Sequence, residues 1–166
     1  MFAVVPEASA VLVEARSNVG PITFGTMTVS GRAELEMTAG DLDTVLPLSA
    51  VVQIPVVSLE SGNSLYDAEL RRRLDQRRFP MITIELHAAK SIGGGRFVAE
   101  GDVTIHGATQ RLTGTVALTM ADENTLVATG RELVDIRDFE IGLPTMLMLT
   151  IYPDVSVEFR LTAARV

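Results

Sequence analysis

The chain has 166 residues, the length of one domain, and is 47% hydrophobic but only 5% aromatic, so its apolar mass is aliphatic. It has no cysteine and only two histidines, His87 and His106, which excludes disulfides, thiol catalysis, Cys-ligated zinc, iron–sulfur clusters and a multi-histidine metal site. Against 21 acidic residues stand 14 basic ones, a formal net charge of −7, which argues against a nucleic-acid surface spread over the domain.

Met1–Ala10 lacks the basic start and long apolar core of an export signal, so the sequence predicts a cytoplasmic protein. No apolar run is long enough for a membrane span: Val45–Leu59 comes nearest, and Pro47, Gln53 and Pro55 interrupt it. From there on the dominant period is two, the pattern of half-buried strands. Val11, Val13 and Ala15 share one face, as do Val52, Ile54 and Val56, and then Ile82, Ile84 and Leu86. Phe97, Ala99, Val103 and Ile105 follow, then Leu112, Val116 and Leu118, and finally Val155, Val157, Phe159 and Leu161. These patterns predict about eight strands, roughly 9–16, 21–37, 46–58, 81–91, 96–106, 110–120, 125–138 and 146–162. Short polar or glycine links at Gly93-Gly94-Gly95, His106-Gly107-Ala108 and Asp122-Glu123-Asn124 favour antiparallel neighbours over crossovers.

One segment departs from this period. Ser64 reads as an N-cap with Asp67 three residues on, Tyr66, Leu70 and Leu74 form an apolar stripe, and Pro80 follows a basic end. The spacing predicts a single helix over about 64–78. The expected architecture is all-β with one inserted helix: antiparallel strands packed as a sandwich or closed as a barrel, the helix lying over one mouth.

Four segments in series resemble the YceI-like family. They are Ser58-Leu59-Glu60-Ser61-Gly62-Asn63, Phe79-Pro80-Met81-Ile82-Thr83-Ile84, Gly101 to Thr109 (GDVTIHGAT) and Arg137-Asp138-Phe139-Glu140-Ile141-Gly142. The opening Val5-Pro6-Glu7-Ala8-Ser9 departs from the family's Asp-Pro-x-His-Ser, so no role of that Asp or His carries over. The resemblance implies an extended, eight-stranded, antiparallel, lipocalin-like barrel over the whole chain, 1–166. It also implies binding of a polyisoprenoid or quinone-like lipid, and a homodimer.

On that reading Val13, Phe24, Ile54, Ile84, Val103, Ile105 and Phe139 are candidate wall residues for an apolar ligand, joined by Leu70 and Leu74 of the helix and by Met146 and Met148. The same alternation describes a filled core equally well, which would make the protein a structural or protein-interaction module without a lipid. Arg77 and Arg78 are candidate head-group ligands and suit transient contact with an anionic membrane surface, since guanidinium matches phosphate bidentately. As a bland alternative, Asp67–Arg71, Glu69–Arg73 and Arg71–Asp75 are i,i+4 pairs of a solvated face. His106 is read as part of a turn and His87 as solvent-facing. Asp138 and Glu140 are expected on one strand face, with no nucleophile or oxyanion donor identifiable beside them. No catalytic, cofactor or metal site is expected, and no GxSxG, Walker A or Rossmann fingerprint is present.

Overall fold

Hairpins decide the topology, because each tight link forces the next strand back alongside the last. The computed structural model describes residues 1–43, 45–142, 145–146 and 149–166. In chain order it contains β1 (Phe2–Val4), β2 (Ala10–Ser17), β3 (Gly20–Thr26), β4 (Ser30–Glu34), β5 (Met37–Thr38), β6 (Asp41–Leu42) and β7 (Ser49–Pro55). There follow α1 (Ser64–Arg73), β8 (Met81–Gly93), β9 (Arg96–Ile105), β10 (Ala108–Asp122), β11 (Thr125–Asp135), β12 (Thr145–Met146) and β13 (Leu149–Arg165). The β9–β10 link is a two-residue turn with both central residues at positive φ, His106 at 56° and Gly107 at 73°, the twist that hairpins require.

β1 and β2 run as one strand broken by a short 3-10 turn at Pro6–Ala8, and β3 and β4 as its antiparallel partner. From there the order is β7, β8, β9, β10, β11 and β13, every neighbour antiparallel. β13 pairs with β2 and, at Phe2↔Arg165, with β1, which closes the ring. The result is a closed eight-stranded antiparallel barrel in which every strand has a paired neighbour on each side.

Register confirms which face is inside. Val13 lies opposite both Phe24 and Val157, Ile84 opposite both Val52 and Val103, and Phe97 opposite Val116. The intervening positions face out and are polar: Asp102 accepts from His87 Nε2 at 2.8 Å and from Arg111 Nε at 2.7 Å, while Arg111 also reaches Glu100 at 2.7 Å. The hydrogen bond from Arg111, with that from His87, holds the Asp102 carboxyl below its usual range. Apolar-in and polar-out is the inverse of a barrel whose outer face meets lipid. Among the described residues no helix is long and apolar enough to cross a membrane.

Several boundaries differ from the sequence reading. The helix stops at Arg73 rather than near 78, because Asp75 adopts φ 49° and Gln76 N–H bonds back to the Arg71 carbonyl, a left-handed stop that needs no proline. Its N-cap is Asn63, not Ser64: Asn63 Oδ1 accepts from the amides of Leu65 and Tyr66 at 3.0 and 3.3 Å. The strand expected over 21–37 is broken at 27–29, and Met37 belongs to the small β5–β6 hairpin. Asp138 and Glu140 do not share a strand face, since β11 ends at Asp135 and Ile136–Phe139 form a 3-10 turn with Glu140 left-handed behind it. The Asp135 carboxylate caps that turn by accepting from the Arg137 amide at 2.9 Å.

Candidate functional site

The two ends of the barrel are built differently from the same alternating pattern. At one end Phe2 and Phe97, with 0% and 1% of their surface exposed, meet Leu35, Leu42, Leu126 and Ala163 in a filled core. Met37 and Leu42 of the β5–β6 hairpin cover it from outside the ring, so this end is plugged. Towards the other end the side chains stand apart and leave a cavity of about 420 Å³, within the range of small-molecule sites.

Aliphatic side chains from β2, β3, β7, β8, β9, β10, β11 and β13 form its wall. The floor is Phe159, whose ring lies across Gly130: a Cβ at that glycine would stand 2.5 Å from Phe159 Cζ. Over the mouth lies α1, whose Tyr66 and Leu70 pack against the cluster of Ile22, Phe24 and Leu59. Leu70 and Leu74 continue on to Val56, Phe139 and Ile141.

Eight of the candidate wall residues line this cavity: Val13, Phe24, Ile54, Leu70, Leu74, Ile84, Val103 and Ile105. Phe139 does not. It is fully buried and packs with Val56, Leu74 and Ile141 beside the helix, as a prop rather than a wall. Met148 lies outside the described residues, and Met146 is described only as part of a two-residue strand paired with β13. Arg77 and Arg78 sit in the turn after the shortened helix, both exposed and neither on the cavity wall; Arg78 stacks over Phe79 at 5.1 Å.

The polar groups at the cavity are others. Glu69 and Arg73 line it, joined at 2.7 Å, and Glu69 also holds Arg72 at 2.8 Å. Burial opposes ionisation of Glu69, yet the hydrogen bonds from Arg73 and Arg72 hold its pKa below the ordinary value. The i,i+4 spacing of Glu69 and Arg73 is visible in sequence; that the pair is half-buried at a mouth is not. Asp67 and Arg71 do not pair as spacing suggested. Asp67 accepts from the Ser61 amide and hydroxyl at 2.8 and 2.6 Å, and Arg71 donates to the Val57 carbonyl. Glu132 was not singled out by sequence reasoning, yet it shares the inward parity of Val134 and its register partner Val157. Its Oε1 accepts from the Thr115 amide at 2.8 Å.

The family-like motifs converge on this same end. Ser61 and Asn63 fasten the start of α1, while the Phe79 ring meets His106 edge-on at 5.5 Å. His106 Nδ1 lies 3.4 Å from the Phe139 carbonyl, and the Val56 amide donates to the Pro80 carbonyl at 2.9 Å. They form a scaffold around the mouth, and His106 takes part as turn architecture. His87 lies exposed on the outer face. Among the described residues no cluster of three or more His, Asp or Glu could hold a metal.

A closed antiparallel barrel with an aliphatic cavity under a helical cover defines a lipocalin-like class of protein. Within that class the chain belongs to the YceI-like family, whose domain profile matches residues 2–163. No curated protein sequence matches it. Among solved structures it is similar to BcnA of Burkholderia cenocepacia, with TM-score 0.83 and 19% identity over 96% of this chain and 98% of that one. It is also similar to a polyisoprenoid-binding domain of Saccharophagus degradans implicated in plant cell wall breakdown (TM-score 0.77, 13% identity, 99% of this chain and 98% of that one). The YceI protein of Campylobacter jejuni is similar at TM-score 0.66 and 14% identity, over 82% of this chain and 81% of that one. At these identities the likeness is one of fold.

Proposed function

We propose that this protein is a non-enzymatic binding protein that holds an isoprenoid or quinone-like chain in the helix-side half of its barrel. The observation that carries the reading is the empty, aliphatic space between Phe159 and α1 in a barrel whose other half is filled. Such a wall offers dispersion contacts and no direction, and each methylene moved into it from water is favoured by about 0.8 kcal/mol. Supporting it further, a structural neighbour is a polyisoprenoid-binding domain. The head group of the ligand would rest by Tyr66, Glu69 and Arg73, the polar side chains where α1 meets the cavity, rather than at Arg77 and Arg78. The competing reading, a filled barrel acting as a structural or protein-interaction module, accounts for the Phe2–Phe97 end but gives the empty half no role.

The decisive experiment is purification without detergent, followed by organic extraction and mass spectrometry. The expected result is a long-chain isoprenoid or quinone-like compound at a fixed ratio to protein. Protein that comes out lipid-free and takes up no added prenyl alcohol or quinone overturns the proposal.

A further inference from the structure

Everywhere but one place, the strands give the cavity every second residue, as a closed wall must. The exception is the seam between β10 and β11. Here three consecutive residues on each side line it, Leu112, Thr113 and Gly114 facing Glu132, Leu133 and Val134. By register Thr113 pairs with Glu100 and Leu133 with Ser156, both on the outer face, and Leu133 keeps 75% of its surface exposed. Thr113 and Leu133 thus border the cavity from outward-facing positions, and they do so where the two strands run unpaired.

The pairing shows the parting directly. β10 and β11 pair from Asp122↔Thr125 to Val116↔Gly130 and no further, although β10 stays paired with β9 down to Ala108 and β11 with β13 down to Asp135. Just beyond the last pair the Glu132 carboxylate takes the Thr115 amide at 2.8 Å, a side chain standing in for the lost ladder bond. Gly114 makes room for it, since a Cβ there would lie 2.8 Å from Glu132 Oε1. The far end is tied by Gln110 Nε2, which donates to the Asp138 carbonyl at 2.9 Å. Between the ties lies a slit, on the order of 15 Å long at the usual rise per residue. A split sheet gives up backbone hydrogen bonds, and a fold keeps such a loss where something uses the gap. The Phe2–Phe97 plug meanwhile fills one end of the barrel, and α1 lies over the other.

We propose that the ligand enters and leaves the cavity sideways, through the slit between β10 and β11, with the Glu132–Thr115 bond as its latch. This rests on the apolar-ligand reading above. Leu133 stands exposed outside, while Leu112 and Val134 within pack against the buried Phe139–Ile141 cluster, which has to yield as a greasy chain passes.

Because the natural chain has no cysteine, the variant Thr113→Cys/Leu133→Cys offers a single cross-linkable pair on the outer lips of the slit. The seam is closed by oxidation, or by a short bis-maleimide, and N-phenyl-1-naphthylamine serves as the neutral apolar probe in stopped-flow fluorescence. The reduced double variant, which keeps the seam free, is the reference for both affinity and rate. The cross-linked protein is expected to take up and release probe at least about tenfold more slowly at nearly unchanged affinity, with speed restored to the disulfide form by dithiothreitol. Rates that stay those of the reduced variant after cross-linking overturn the port and place the passage beneath α1. Reduced and wild-type proteins that bind neither this probe nor a prenyl compound overturn the ligand reading itself, and the port with it. A second variant needs no cross-link: Glu132→Ala removes the latch and is expected to speed uptake and release together by roughly threefold or more. Rates unchanged in a folded Glu132→Ala protein count against the latch.

Discussion

Gly130 and Phe159 together set where empty space begins. The ring can lie over the neighbouring strand only because Gly130, its register partner, has no side chain, and the pair bounds the cavity at that level. Gly130→Ala should tilt Phe159 towards the cavity, destabilise the fold by about 1–3 kcal/mol in urea unfolding, and weaken binding of longer chains more than shorter ones. A series of prenyl alcohols of increasing length, compared on the wild type and the variant, checks this. The sequence already showed Phe159 on the inward face; it could not show that the ring lies over a glycine on the next strand. Glu132 is a parallel case. A lone carboxylate in a strand reads as solvent-facing by default, and only the register with Val157 turns it inward.

The strands were legible because a period of two survives in the long ones, and six of the candidate wall residues, Val13, Phe24, Ile54, Ile84, Val103 and Ile105, follow directly from it. What alternation does not carry is filling: Phe97, Ala99 and Val103 lie on one face of β9, yet Phe97 belongs to the plug and the other two to the cavity wall. The ends of elements were less legible, because hydrogen bonds to single side chains fix them. Asp135 turns β11 into a 3-10 turn, and Asp75, by going left-handed, stops α1 a turn before the arginines at 77 and 78. That early stop is why those two arginines miss the cavity. The start of α1 depends on Asn63, whose Oδ1 serves two helix amides. Replacing Asn63 with Ala should cost about 1 kcal/mol, measured as a lower urea midpoint with unchanged slope.

For the molecule as a whole, the division into a dense end and a hollow end predicts uneven rigidity. Amides around Phe97, Leu118 and Leu126 are expected to exchange with solvent only through global unfolding. Those of Leu112–Gly114 and Glu132–Val134, beside the slit, should exchange much faster in the free protein. Added prenyl ligand should slow the second group while raising overall stability, by about 2.7 kcal/mol at a hundredfold excess over the dissociation constant. Hydrogen-exchange mass spectrometry with and without ligand reads both effects. Uniform protection across the two ends would show that the cavity is not the softer half. The charged outer ladder of Glu100, Asp102, Arg111 and His87 plays no part in this contrast, being solvent-screened and worth little to stability.

The pairing of Phe2 with Arg165 has a consequence in time as well as in space. β13 is bonded to β1, β2, β11 and β12, all of which precede it in the chain, so the ring shuts only after every other strand has been made. During synthesis the aliphatic wall therefore spends an interval facing water as an open, curved sheet, the state in which a nascent chain is most exposed to aggregation. Closure then has to span nearly the whole length of the chain, a long-range step of the kind that makes β-barrels slow to fold.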